Sequence, residues 1–265
     1  MKRFVPFVKK DPLVAVIRLQ GVIASGGRGA SLNDTSLAPL IERAFRKGKP
    51  VAVALVINSP GGSPTQSSLI AARIRRLSEE TEVPVYGFVE DVAASGGYWL
   101  ATAADEIWVD DSSIVGSIGV ISAGFGFDEF ISRYGIQRRV YTAGKSKSLA
   151  DPFKPEKPED VARIKDLQEQ IHASFIAQVK SRRGDKLAEG DLYTGDIWVG
   201  DKAREVGLVD GIGHIVPKMK EKFGDKVRLA PYQVRRPLFA RFGMSLIDAG
   251  IGALEERAIY ARYGL

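Results

Sequence analysis

Val51-Ala52-Val53-Ala54-Leu55-Val56-Ile57-Asn58-Ser59-Pro60-Gly61-Gly62 is the stretch that decides the fold class. An unbroken apolar run of strand length fits a strand covered on both faces, as in a parallel sheet. The turn formers that follow end it sharply. Upstream, residues 13–19 (LVAVIRL) read as a first strand, and residues 36–46 as a helix closed by Gly48 and Pro50. Downstream, residues 64–77 are helical, with Ile70, Ile74 and Leu77 inward and a basic outer face. Residues 83–89 and 106–109 read as strands around a short helix of small residues, 94–104. A glycine-rich tract comes next, then a helix near 128–134 and a strand near 139–142. Residues 158–180 form a long amphipathic helix, with Val161, Ile164, Leu167, Ile171, Phe175 and Val179 on one face. Strands alternating with helices predict an α/β fold with a mostly parallel sheet.

Composition narrows the chemistry. The 265 residues are 45% hydrophobic and 26% charged, the balance of a folded chain with ample length for a core. With no cysteine, disulfides and thiolate metal sites are excluded. Two histidines, His172 and His214, are too few for a multi-histidine metal centre. The phosphate-binding pattern G-x-x-x-x-G-K-[ST] is absent. The net charge of +6 is concentrated at the ends: residues 1–50 hold ten basic and three acidic side chains, and residues 216–265 hold ten and five. Basic ends suit an anionic surface, and they also serve plain solubility. No apolar segment of signal-peptide length follows the basic residues 1–12. The uncharged tract 112–127 carries four glycines and is shorter than a membrane span.

Two glycine-rich turns, each after a strand, offer backbone N–H groups to a developing oxyanion. One is residues 58–63. The other is Ala93-Ala94-Ser95-Gly96-Gly97-Tyr98, where a serine stands between strand and helix with neighbours too small to shield it. The setting is akin to a nucleophile elbow, although G-x-S-x-G is not matched. A serine nucleophile needs a base. His172 falls mid-helix and His214 in a turn, both ordinary structural positions. A lysine held neutral by burial or by neighbouring cations can replace histidine. Lys145 and Lys147, near Arg138 and Arg139, are the candidates. In an extended segment they share a face, so alternation does not choose between them.

The ordered set Asn58-Ser59-Pro60-Gly61-Gly62, Ala94-Ser95-Gly96-Gly97-Tyr98, Val115-Gly116-Ser117-Ile118-Gly119-Val120 and Gly144-Lys145-Ser146-Lys147 resembles the signal peptide peptidase A family of Ser–Lys serine peptidases. Thr194-Gly195 and residues 203–211 (AREVGLVDG) are similar to its later motif, so the resemblance covers roughly residues 13–216. It implies a crotonase/Clp-protease-like α/β fold of stacked ββα units, in one peptidase domain over residues 1–230. Carried over to this chain, Ser95 is the nucleophile and Lys147 its general base. The N–H groups of Gly96 and of Gly62 or Gly61 form the oxyanion hole, and Ser117 orients the lysine. No metal or cofactor is implied. The implied partners are a hydrophobic peptide or unfolded protein and further copies of the chain, in a tetrameric or octameric ring whose neighbours complete each site. The substrate cleft would be lined by residues 116–127, and no nucleic acid takes part. Family members typically begin with a membrane anchor; this chain reads instead as cytoplasmic, with a peripheral contact at the inner face of the membrane. Two other readings stand beside the peptidase. One is a crotonase-type acyl-CoA hydratase or isomerase, which would need Glu90 and Asp91 as paired carboxylates. The other is a scaffold subunit without catalysis.

Residues 231–265 read as a basic, amphipathic helical extension. Over 238–263, Phe239, Phe242, Leu246, Ile247, Ile251, Leu254 and Ala258 fall near one stripe, and Arg235, Arg236 and Arg241 crowd its start. Such a stripe packs on its own domain, on a neighbouring subunit or on an anionic membrane. Flotation with vesicles separates these: lipid-dependent recovery at low salt that requires anionic lipid is the membrane outcome, and its absence ends that branch.

Overall fold

The computed structural model describes residues 11–26, 31–144, 146–232, 257 and 259–265. In chain order the elements begin with β1 (Leu13–Gln20), α1 (Asp34–Arg46), β2 (Ala52–Ser59), α2 (Pro64–Thr81) and β3 (Val85–Ala94). They continue through α3 (Gly96–Ala101), β4 (Glu106–Val109), β5 (Ile114–Gly116), α4 (Asp128–Arg133) and α5 (Pro158–Arg183). The last are β6 (Ile197–Val199), α6 (Gly200–Glu205), β7 (Gly211–Ile212), α7 (Ile215–Phe223) and β8 (Arg228–Tyr232). The chain divides into two compact units, Met1–Ile118 with Phe175–Leu265, and Gly119–Ser174.

The larger unit is built on an eight-stranded sheet in the order β6-β5-β3-β2-β1-β8, with β4 also on β3 and β7 on β4. Every pair is parallel except β5 with β6. Central β2 is buried at every position, as its apolar run predicts. Val53, Leu55 and Ile57 join the main core beneath α1 and α2, whereas Ala52 and Ala54 meet Met219 and Phe223 of α7 on the other face. Helix α2 starts at once after β2: the Ser63 side chain caps it by accepting from Gln66 N–H, and Pro64 occupies its first turn. The residues between β2 and α2 therefore have no slack.

β3 departs from the sequence reading in a way that matters. It runs on to Ala94, five residues past the predicted end, so α3 begins only at Gly96. Its first half pairs with β4 and its last residues with β5. Against β2 its register jumps, from Ile57 opposite Val89 to Ser59 opposite Ala93. The short β5, unforeseen within the glycine-rich tract, is what keeps the end of β3 extended.

In the smaller unit, helix α4 forms as expected and buries none of its residues. The strand predicted near 139–142 is absent: no strand pairs with those residues, and Tyr141 is 92% exposed. β-propensity without a ladder partner does not make a strand. Helix α5 starts where predicted and runs three residues past the predicted end, but its stripe is buried only at Phe175 and Val179, while Leu167 and Ile171 stay exposed. The buried part is anchored within the larger unit, where Phe175 stacks on Trp99 with ring centroids 4.9 Å apart. Of the predicted C-terminal helix, residues 233–256 and 258 lie outside the described residues, and Arg257 and 259–261 are helical.

At the end of α5, Arg183 is 3% exposed and donates to the Gly207 carbonyl at 2.9 Å and to the Asp210 carboxylate at 2.7 Å. Burial would raise the Asp210 pKa, but hydrogen bonds from Arg183, Lys186 and the Ile107 N–H outweigh it and hold the carboxyl below its usual range. Removing one partner of such a pair strands a buried charge. Asp210→Ala is expected to destabilise the fold by about 3–5 kcal/mol in urea unfolding at pH 7. Because the folded pKa is depressed, this contribution is present above the unfolded carboxyl's pKa of about 4 and is lost as pH falls through the folded value. Acid unfolding of Asp210→Asn should accordingly lose part of its dependence on pH in that window.

Candidate active site

Ser95 is the link between β3 and α3. Its backbone sits at φ +51°, ψ −121°, a conformation that side-chain-bearing residues rarely adopt. The strain is held by flanking bonds: Ser95 N–H donates to the Gly116 carbonyl at 2.8 Å, and its own carbonyl accepts from Trp99 N–H at 3.0 Å. Ser95 is half-buried, while Val92 to Ala94 and Gly96 to Leu100 are buried. The hydroxyl-bearing residue is thus the accessible one in its turn.

The second turn, residues 58–63, is laced to the segment after β1. Gly21 N–H donates to the Asn58 carbonyl at 3.0 Å, Ile23 N–H to Gly61 at 2.8 Å, and Ser63 N–H to Ile23 at 2.7 Å. The Ser59 hydroxyl closes the set on the Gly21 carbonyl at 2.7 Å. So held, the turn presses against the Ser95 turn. Gly61 has φ +100°, and a Cβ there would lie 2.8 Å from the Ala94 oxygen and the Gly96 nitrogen and 2.9 Å from Ser95 Cβ. A Cβ on Gly97 would come within 2.3 Å of the Ser59 oxygen. A Cβ on Gly96 would meet the Ser67 hydroxyl at 2.4 Å and the Gly62 nitrogen at 3.3 Å. The structure therefore gathers Ser95, Gly96, Gly61 and Gly62 into one place. Gly61 N–H leans on the Ser59 hydroxyl at 3.3 Å; the amides of Gly62 and Gly96 take no part in the backbone bonds that tie the turns together among the described residues. Gly62 is exposed.

The other predicted positions fall as follows. Ser117 stands directly after Gly116, whose carbonyl holds Ser95; it is half-buried at φ +51°, with its N–H on the Asp196 carbonyl at 2.6 Å. Lys147 belongs to the smaller unit, on an exposed turn where its N–H donates to the Gly144 carbonyl at 3.3 Å. Lys145 lies outside the described residues. His214 is exposed and its Nε2 pairs with Asp110 at 2.9 Å, a structural position. Glu90 and Asp91 are not simply solvated, as their place at a strand end suggests. Arg18 grips Glu90 with two bonds of 2.6 and 2.9 Å, and Asp91 accepts from the Asn58 side chain.

Sequence reasoning missed Tyr98. Its ring is fully buried and its hydroxyl donates to the Leu208 carbonyl at 2.7 Å, tying α3 to the segment between α6 and β7. Burial pushes the phenol well above its usual range, so the hydroxyl stays a donor. The cue was a tyrosine inside a run of small residues, Ser95-Gly96-Gly97-Tyr98.

A strained, accessible serine beside backbone amides is the construction of a serine hydrolase. The model of Peptidase family S49 matches residues 78–223, more than half of the chain, and the chain belongs to that family. A Brucella melitensis protein named Na(+)/H(+) antiporter NhaA is 47% identical over this whole chain, which spans 39% of that protein. A putative signal peptide peptidase SppA of Enterococcus faecium is 28% identical over 76% of the chain and 60% of its own length. A putative protease of Synechocystis sp. is 30% identical over 76% of the chain and 69% of its own length. The first two relatives are thus spanned by this chain over less than two thirds of their length. Among solved structures, a membrane-bound stomatin-specific protease, as a lysine-to-alanine mutant in complex with a substrate peptide, superposes with a TM-score of 0.53 at 16% identity. It covers 92% of this chain and 98% of its own, and shows that the fold is shared. The fold is accordingly an α/β architecture with a mostly parallel sheet, shared with that protease.

The glycine contacts yield a test. Gly61→Ala places a Cβ against backbone atoms at a φ that disfavours it, and should lower both the thermal midpoint and covalent labelling of the serine by a fluorophosphonate. Gly26→Ala, which meets nothing within 4 Å, should change neither.

Proposed function

We propose that the protein is an endopeptidase that cleaves hydrophobic peptides, such as signal-peptide remnants or membrane-derived fragments, through a dyad of Ser95 and Lys147. The observation that carries the reading is the meeting of the two turns at Ser95, with the Gly62 and Gly96 amides beside it. Lys147, as the neutral amine, takes the proton of the Ser95 hydroxyl as its oxygen attacks the scissile carbonyl. Negative charge develops on that carbonyl oxygen, where the Gly62 and Gly96 N–H groups donate to it; Gly61 is the alternative donor on the same turn. The lysine then hands its proton to the leaving amine, leaving an acyl-enzyme. Water deprotonated by the same lysine releases the acyl group and restores Ser95. Ser117, on the strained turn after β5, orients the lysine.

The solved neighbour supports this assignment, since it was studied both as a serine-to-alanine mutant and, with a peptide, as a lysine-to-alanine mutant. The exposed Phe125, Phe127, Phe130, Tyr134 and Tyr141 of the smaller unit support apolar peptides as substrates and association with further copies of the chain, which would complete each site. Residues 1–230 would then be the peptidase domain and 231–265 an extension. The basic ends support work at the cytoplasmic face of a membrane. The antiporter name belongs to the whole Brucella protein; among the described residues of this chain, no helix is long and apolar enough to cross a membrane. The hydratase reading loses its carboxylate pair, because Glu90 is held by Arg18 and Asp91 by Asn58.

A fluorophosphonate should label the wild type and leave Ser95→Ala unlabelled. With a fluorogenic apolar peptide, Lys147→Ala should abolish turnover while the fold persists, a loss of several orders of magnitude. Lys145→Ala should cost at most about tenfold, or about 1.4 kcal/mol in the barrier. A dead Lys145→Ala beside an active Lys147→Ala would reverse the assignment of the base.

A further inference from the structure

We propose that Asn58 is a positioning residue for the oxyanion turn, held across a strand bulge by Asp91 and from the C-terminal end of the chain by Tyr260. The proposal rests on the reading of Ser95 as nucleophile and of the adjoining glycine amides as the oxyanion hole.

The ladder between β2 and β3 shifts register at Asn58. Ile57 faces Val89 and Ser59 faces Ala93, so Asn58 alone stands opposite Glu90, Asp91 and Val92. Backbone pairing is interrupted at the level from which both turns depart, and a bulge by itself leaves the local spacing loose. Side chains bridge the gap. Asn58 Nδ2 donates to the Asp91 carboxylate at 2.5 Å, a charge-assisted bond from one turn's strand to the other's. Glu90 does not compete for the amide, because Arg18 holds both of its oxygens.

The backbone of Asn58 is held as well. Its carbonyl accepts from Gly21 N–H at 3.0 Å and from the Tyr260 hydroxyl at 2.8 Å, which occupies both lone pairs. Asn58 is 8% exposed, on the face of β2 that otherwise carries the buried apolar residues Ala52, Ala54 and Val56. Burial alone would favour an apolar side chain there, and its Oδ1 is a buried atom with no hydrogen-bond partner. A polar residue placed at that cost is explained by what its other atoms hold in place. Gly61 and Gly62 follow three and four residues on, and oxyanion donors lose their effect when displaced by about 0.5 Å. Tyr260 thereby gives the last helical turn of the chain a direct hold on the catalytic centre.

The experiment follows fluorophosphonate labelling and steady-state cleavage of a fluorogenic apolar peptide, with thermal midpoints measured in parallel on the full chain. Asn58→Asp sets two carboxylates against each other and should slow labelling about 10- to 100-fold, lowering kcat with KM within about twofold. Adding Asp91→Asn exchanges donor and acceptor and should restore labelling to within about threefold of wild type. Tyr260→Phe, which removes one hydroxyl from a half-buried ring, should slow labelling about three- to tenfold with an unchanged midpoint. The proposal is overturned if Asn58→Asp labels at the wild-type rate, if the exchanged pair recovers nothing, or if losses appear in KM or only in parallel with melting. Should Asn58→Asp fail to fold, Tyr260→Phe decides by itself, and wild-type labelling in that variant overturns the proposal. Absence of Ser95-dependent labelling in the wild type would sink the underlying reading and this one with it. Ser95-dependent labelling that no variant alters sinks only this one.

Discussion

Gly97 lies so near the Ser59 carbonyl, and Gly61 so near Ala94 and Gly96, that a Cβ at either position would fall inside 3 Å of backbone atoms. This approach of two turns is the constraint around which the site is organised. It needs β2 and β3 side by side and in parallel, so that both strands deliver their turns at the same edge of the sheet. It also needs each turn to be rigid, because the proposed oxyanion donors would act through preorganisation and not through movement. The lacing of residues 58–63 to residues 21–23 and the bond from Ser95 N–H to Gly116 supply that rigidity from opposite sides.

The strain at Ser95 is supported from further away. Tyr98 reaches the Leu208 carbonyl, and Trp99 stacks on Phe175, so the short α3 is fastened along both flanks. Arg182 donates to the Thr102 and Ala104 carbonyls just beyond α3, and Arg183 pairs with Asp210, which in turn accepts from Ile107 N–H at the head of β4. A helix of six residues has little stability of its own. Its geometry is imposed by these tertiary bonds, as befits a segment whose first residue follows a strained one.

Much of the sheet was legible because its signals are local. A seven-residue apolar run has one economical use in an α/β chain, and the spacing of Ile70, Ile74 and Leu77 marks the helix that follows it. The glycine pairs at 61–62 and 96–97 were legible as turns. What the local pattern could not carry was pairing. β3 extends to Ala94 because β5 offers it a partner, whereas residues 139–142 form no strand because nothing pairs with them. Likewise the stripe of α5 looks uniform in sequence, yet only Phe175 and Val179 are buried.

The sequence by itself determined the class of the protein: the alternation of strands and helices, the four ordered motifs and the candidate nucleophile all lie in short windows whose chemistry does not depend on distant partners. Only the tertiary structure decided that Gly61, Gly62, Ser95 and Gly96 share one place, since the two turns are more than thirty residues apart and nothing in either encodes their distance. It also decided the partners of Asn58, Tyr98 and Arg183. Each of these is a polar or charged side chain buried against groups 24 to 110 residues away, and such a burial is tolerable only where the fold brings those groups to it.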